Sequence, residues 1–284
     1  MAQTINSNLP SINAQRNTDA SRSSLATSMQ RLSSGMRVNS AKDDAAGLAI
    51  AERMKAQVAG MNIAVRNTND GISLAQTAEG AAARIGDALQ RMRELAVQSA
   101  NGANNEGDRA NLQTEFAQLQ AEVSRVIDGT LFNGQELFTG AGGAGGTFTF
   151  QVGAGTGATD TIDVALTDLA ATVGAGVGEG SGVAISGTDA SGATAALGAV
   201  DAAIDVVTTA RASFGAVQNR FESVIANLQV GSENLSAARS RIVDADFAVE
   251  TANLARAQIL QQAGNAMVAQ ANQLPNQVLS LLKG

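Results

Sequence analysis

The chain has 284 residues, 44% of them hydrophobic, carries a net charge of -7, and contains no Cys, His, Trp or Tyr. Disulfides, thiolate metal sites and histidine general bases are thereby excluded. The acidic balance argues against nucleic acid or an anionic membrane as the main partner. Only Pro10 and Pro275 interrupt the chain, so long helices are permitted almost throughout.

Residues 1–34 read as an amphipathic helix with apolar contacts at Ile5, Leu9, Ile12, Leu25, Met29 and Leu32, and Gly35 ends it. Ser40 with Asp43 three residues on looks like a helix cap, and the helix that follows is expected to reach residue 100, roughly 80 Å long. Met54, Val58, Met61, Val65, Thr68, Ile72 and Ala75 alternate steps of four and three, the seam of a coiled-coil rod. Around Ala82 two successive steps of three predict a local overwinding, and Thr68 and Glu79 make the seam partly polar. The loop Asn101–Asp108 then turns the chain into a shorter helix with Leu112, Phe116, Leu119, Val123 and Val126, packed back on the long one.

At Leu131–Phe138 the period changes, and Asn133-Gly134 between apolar pairs signals a β-hairpin turn. Phe148, Phe150 and Val152 alternate, as do Ile162, Val164 and Leu166, which predicts two short strands, with Val183–Ile185 a candidate third. We expect residues 141–198 to form a small β-rich cap. Between Val126 and Ala210 nine acidic residues stand with no Lys or Arg, the mark of a solvated outer surface. GAGGAG at 140–145 matches a dinucleotide fingerprint by letter, but an alternating strand follows where a helix is needed, so it reads as a flexible linker.

Val200, Val207, Phe214, Phe221, Leu228, Leu235 and Ile242 then repeat every seven residues, with Ala203, Ala210, Val217, Val224, Gly231 and Ala238 three residues after the first six. Such a repeat marks a second rod, partner to the first. A final helix over 247–282 repeats Leu260, Met267, Leu274 and Leu281, with Ala257, Gly264, Ala271 and Val278 between. From Ala257 to Leu282 there is no charged side chain but nine Asn and Gln, and residues 1–15 are equally free of charged side chains. Ends of this kind can pack densely against copies of themselves without burying ions. The fold class is therefore mainly α, with long antiparallel helical rods made by both chain ends, a β-hairpin and a small central cap.

No constellation here supports an enzyme. Asp43-Asp44 sit where a helix begins, which favours a dipole interaction over acid–base work, and Asp244 and Asp246 lack calcium-loop spacing. Arg91 and Leu95, four apart within Leu89–Gln98, are expected to share an outward face, which by pattern alone reads first as an ordinary solvated charged face and second as a protein-contact surface. The N-terminus has neither a basic n-region nor an apolar h-region, and no run of eighteen apolar residues predicts a transmembrane helix.

RLSSGMRVNSAKDDAAGLAIAERM (31–54), NDGISLAQTAEGA (69–81) and LQRMRELAVQSAN (89–101) together resemble the N-terminal region of bacterial flagellin; residues 236–282 resemble its C-terminal region. The resemblance implies a structural subunit, without cofactor, of an extracellular helical filament that serves swimming motility. It also implies export through the flagellar type III apparatus without a cleaved signal. Residues 1–45 with 243–284 would form an inner tube through Ile5, Leu9, Ile12, Leu260, Met267, Leu274, Val278 and Leu281. Residues 46–140 with 199–242 would form an outer tube, its seam Val207, Phe214, Phe221, Leu228, Leu235 and Ile242, with 141–198 as the exposed cap. Implied partners are further copies of the chain, filament-cap and hook-junction proteins, an export chaperone at the C-terminal helix, and a host Toll-like receptor; neither nucleic acid nor membrane is among them. The receptor positions that match are Arg91, Leu95 and Glu115, with Gln90, Glu94 and Gln98 beside them. The alternative within the resemblance is the hook–filament junction protein. A metalloprotease insert, the enzymatic alternative, is opposed by the absence of His.

Overall fold

A computed structural model describes residues 7–283, with side chains described through residue 273. The chain is mainly α-helical and divides into two compact units, one of residues up to Ala56 together with those from Asn234 onward, the other Gln57–Glu233. The helices are α1 (Leu9–Ser34), α2 (Ala45–Ser99), α3 (Glu106–Gly129), the single turn α4 (Ala175–Val177), α5 (Ser191–Val243) and α6 (Phe247–Lys283). Two antiparallel pairs complete it: β1 (Leu131–Phe132) with β2 (Gln135–Glu136), and β3 (Thr147–Gln151) with β4 (Thr161–Ala165).

In the unit that holds both chain ends, local chemistry sets each helix boundary. Asn8 caps α1 by accepting from the Ser11 amide at 3.2 Å, and Gly35, at φ 71°, closes it by donating to Arg31 O at 2.8 Å. The cap of α2 is Asp44 and not Ser40: its carboxylate accepts from the Gly47 amide at 2.8 Å. Asp43 instead closes the preceding turn, accepting from the amides of Asn39 and Ser40 and from the Ser40 hydroxyl. That hydroxyl above all holds the Asp43 carboxyl below its usual range. Asp246 caps α6 through the amides of Ala248 and Val249. The four carboxylates that sequence inspection weighed for chemistry thus include three helix or turn caps. The chain between α1 and α2 is tied to the end of α5, where Arg37 N and Val38 N donate to Val243 O and Ala245 N donates to Gly35 O.

The second unit is organised by large apolar side chains. Leu74, Ile85, Leu89 and Met92 of α2, Phe116, Val123 and Ile127 of α3, and Val200, Val207, Phe214 and Phe221 of α5 form one buried core. Each such side chain contributes about 1.5–3 kcal/mol on leaving water. Thr68 is buried without loss because its hydroxyl donates to Ala64 O, and Glu79 accepts from Gln218 Nε2 at 3.0 Å, so the polar seam positions are satisfied. α2 is α-helical throughout, and Ala78, Ala82 and Ile85 are all fully buried. By length and hydropathy alone α5 would pass for a membrane span; its apolar row from Val200 to Phe221 is consumed in this core.

Asn133 (φ 49°) and Gly134 (φ 77°) supply the left-handed pair that the β1–β2 turn demands. The two predicted strands form as β3 and β4, with Phe148 opposite Val164 and Phe150 opposite Ile162. Residues 141–198, expected as a small β-rich cap, pair their two strands and pack on the rod helices. They fold into the same unit, where Phe150 meets Phe221 edge-on at 5.7 Å and Val173 and Val177 are fully buried. The glycine run is an ordered turn as well: Gly140, Gly143, Gly145 and Gly146 have φ between 61° and 81°, and Gly146 N donates to Gly142 O at 2.9 Å.

Val183–Ile185 is not a strand. It belongs to an extended strap whose backbone is held by side chains. Ile185 N donates to Gln113 Oε1 at 2.6 Å, Ile185 O accepts from Ser99 Oγ at 2.5 Å, and Val183 O accepts from Gln120 Nε2 at 3.0 Å. Arg109, only 4% exposed, donates to Ser99 O, Gly187 O and Asn101 O, tying the loop at the α2–α3 tip to the strap.

Candidate functional site

Two surfaces answer to the positions singled out in the sequence, one in each unit. The first is the pair α1–α6. Asn8 Nδ2 donates to Ala271 O and Ser11 Oγ to Asn272 Oδ1, both at 2.8 Å, whereas Arg31 faces Glu250 at 3.9 Å, so the helices run antiparallel. The residues between them are small: Ser11, Thr18 and Ser28 on α1, Ala257, Gly264 and Ala271 on α6, all at the contact or buried. A Cβ at Gly264 would stand 2.5 Å from Thr18 Oγ1, which measures how closely the backbones approach. The Thr18 hydroxyl returns to Ala14 O at 2.8 Å and needs no water inside the contact.

The large apolar residues named for the inner tube lie mostly away from this contact. Leu9, Ile12 and Met29, read as apolar contacts of the first helix, are 63%, 43% and 57% exposed in the subunit. On α6 the large members of the repeat, Leu260 and Met267, are likewise 51% and 64% exposed, while the small residues between them form the contact. Leu25 and Leu32 are half-buried. Packing of small residues brings the helix axes close and leaves no room for large side chains in the groove. Ile5 lies outside the described residues, as do the side chains of Leu274, Val278 and Leu281.

The rod seam behaves conventionally. Val207, Phe214 and Phe221 are buried in the core of the second unit and Leu228 is half-buried, whereas Leu235 and Ile242, which belong to the first unit, are half-buried there.

The second surface lies on the outer side of α2 and α3. The Arg91 guanidinium reaches Glu94 Oε2 at 2.8 Å and Glu115 Oε1 at 2.7 Å, and these two carboxylates, Glu94 first, hold it still more firmly protonated than usual. Gln90, Glu94 and Gln98 are exposed and, with Arg93 and Val97, line an open depression of about 510 Å³. Leu95 does not join them. It is 1% exposed and belongs to the core with Met92, Ala96 and Phe116. Four residues apart on a helix means a 40° offset, and here that face is the one on which α3 packs: the long Arg91 side chain reaches past the groove to Glu115, the shorter Leu95 is enclosed beneath.

Further contacts on α2 carry no signal of their own in the sequence. Arg93 binds Asp201 at 2.6 Å, joining α2 to α5, and Val97 is half exposed beside the depression. The polar row Arg109, Gln113 and Gln120 holds the strap; its spacing of four and seven on one face of α3 was the available signal.

Two family models match the chain: the bacterial flagellin N-terminal helical region over residues 5–142 and the C-terminal helical region over 197–282. A flagellin of Halalkalibacterium halodurans is 47% identical over 279 residues, covering 98% of this chain and 99% of that one. Flagellin A of Vibrio anguillarum is 36% identical across the full length of both. Among solved structures, one from Vibrio parahaemolyticus, provisionally named a flagellar hook-associated protein, covers 71% of this chain at 16% identity and a TM-score of 0.59, a likeness of fold.

Proposed function

The chain belongs to the bacterial flagellin family, and from that premise we propose how this structural, non-enzymatic subunit of the extracellular flagellar filament assembles and what recognises it. The α1–α6 pair forms the inner tube of the homopolymer. One observation carries this: the pair spends its small residues on itself and turns Leu9, Ile12, Met29, Leu260 and Met267 outward. Side chains of that size left in water represent about 25 cal/mol for each Å² that a neighbouring copy could cover. The absence of charged side chains from Ala257 to Leu282 supports the same reading, because no ion would be stranded in such a contact.

The remaining large helices supply the outer tube, with the strap and β3–β4 on the outside. Rotation of the resulting filament serves swimming, and subunits leave the cell through the flagellar export apparatus, escorted by a chaperone at α6 and received by cap and hook-junction proteins. Abundance in sheared filaments separates this role from that of a hook–filament junction protein, which would be present in few copies.

Leu260→Asp tests the assembly reading. Leu260 is half in water already, so the monomer should keep its helical circular dichroism, while elongation on flagellar seeds, followed by electron microscopy, should cease because a carboxylate would enter a dry contact. Filaments of normal length from this variant would overturn it.

A host Toll-like receptor is the second proposed partner, reading the free subunit at Arg91, Glu115, Gln90, Glu94 and Gln98. The juxtaposition of Arg91 with Glu115 supports this, and Leu95 would then act from beneath by shaping the groove. Arg91→Ala should lower receptor activation by monomer without unfolding it. An unchanged dose response would remove the assignment.

A further inference from the structure

The methionines of this chain fall into sharply different environments. Met92 is fully buried in the core, and Met36, Met54 and Met61 are half-buried. Met29 on α1 and Met267 on α6 stand 57% and 64% exposed, both in the unit that pairs the chain ends. Neither takes part in the small-residue contact between the two helices, which runs through Ser11, Thr18, Ala257, Gly264 and Ala271. There is no Cys to serve as a competing sulfur nucleophile.

We propose that Met29 and Met267 form an oxidation-sensitive pair that gates polymerisation: peroxide converts them to sulfoxides in the free subunit, and the sulfoxides prevent the outward face of α1–α6 from being covered by another copy. This rests on the assembly reading above. In the chemical step a thioether lone pair attacks one oxygen of hydrogen peroxide, the O–O bond breaks, and sulfur keeps that oxygen. Proton transfer releases the other as water. Sulfur is oxidised by two electrons and the peroxide is reduced by two. The product keeps the length of methionine but replaces a soft apolar sulfur with a strongly hydrogen-bonding S–O dipole.

Exposure makes the modification selective, and the geometry makes it silent in the monomer. At these positions a sulfoxide remains solvated, so the subunit pays no folding penalty. The penalty arises only on assembly, when the dipole must leave water for the contact with a neighbouring copy. Each sulfoxide should slow elongation about tenfold on that account. A reductase that restores the thioether should restore elongation, so the modification is reversible.

The test treats purified monomer with hydrogen peroxide, maps sulfoxides by peptide mass spectrometry, and follows seeded elongation. Met29 and Met267 should be oxidised well before Met92, with circular dichroism unchanged and elongation slowed tenfold or more. Methionine sulfoxide reductase with a thiol reductant should return the rate. In the double variant Met29→Leu, Met267→Leu, scored as its own treated-to-untreated ratio, the same dose should leave that ratio near one. Wild-type monomer fully oxidised at both positions that elongates at its untreated rate overturns the proposal, as does a double variant that loses as much as wild type. If Leu260→Asp is blocked while oxidised wild type elongates, the oxidation gate alone is wrong; if Leu260→Asp elongates, the assembly reading itself falls.

Discussion

Replacing Gly71 by Ala in α2 should destabilise the protein, although alanine is the better helix former. A Cβ at this position would stand 2.7 Å from Cε2 and 2.8 Å from Cζ of Phe221, and 3.4 Å from Cδ1 of Phe150. Phe221 is fully buried and meets Phe150 edge-on at 5.7 Å, so its ring has no free space to retreat into. Carbon atoms pack best about 3.5–4.0 Å apart, so the ring must yield by roughly 0.8 Å. Overpacking of that kind costs about 1–3 kcal/mol. Against it stands a gain of about 1 kcal/mol for removing a glycine from a helix interior. The net expectation is a loss of about 1 kcal/mol. Gly80, on the same helix, provides the control: a Cβ there meets nothing within 4 Å, so Gly80→Ala should stabilise by about the full propensity gain. Urea transitions of freshly prepared monomer, compared by midpoint at constant slope, separate the two. Phe221→Leu supplies the coupling: by itself it should cost about 1–3 kcal/mol, but in its presence Gly71→Ala should turn from destabilising to stabilising. If Gly71→Ala and Gly80→Ala shift the midpoint equally, the packing described around Phe221 is wrong.

The strap and the acid response give two more predictions. Arg109→Gln leaves carbonyls of Ser99, Asn101 and Gly187 without their buried donor, which should cost about 2–3 kcal/mol and speed limited proteolysis between Gly178 and Asp189; an unaltered cleavage pattern would contradict the anchoring role. Asp43, held low chiefly by the Ser40 hydroxyl, and Asp189, held low chiefly by the Ser191 hydroxyl, should both titrate below the ordinary value of 3.8 in nuclear magnetic resonance experiments. Because their folded-state pKa values are depressed, the stability they contribute is present above the ordinary carboxylate range and is lost as pH falls through the depressed values. Asp189→Asn should remove that part of the acid dependence, and a midpoint at or above 3.8 for either group would refute the assigned hydrogen bonds.

The heptad from Val200 to Phe221 was legible because large side chains and a fixed period both point to a buried stripe, and the core of the second unit uses it. In the terminal helices the same logic decides less. A periodic pattern states which residues share a face; it does not say whether that face meets its own chain or another molecule, and around Gly264 the intramolecular contact went to the small residues. Leu95 was misplaced for a related reason: its spacing from Arg91 puts both on one side of α2 but does not say which part of that side α3 covers. Helix starts were ambiguous where acceptors stand side by side, as Ser40, Asp43 and Asp44 do, and only the Gly47 amide identifies Asp44 as the cap of α2. Val183–Ile185 imitated a strand because an extended segment looks the same whether a neighbouring strand or a row of amides satisfies it. The clustering of Arg91 with Glu115 depends on helix-to-helix register across 24 residues, which no local pattern encodes.

Side chains of α2 and α3 grip residues 183–187 almost wholly by main-chain atoms, with Ile185 the one fully enclosed anchor. A grip of that kind is blind to most of the letters written along the segment. The path of the segment is therefore written elsewhere, at Ser99, Arg109, Gln113 and Gln120, and a change at one of those would free it without altering a residue of its own.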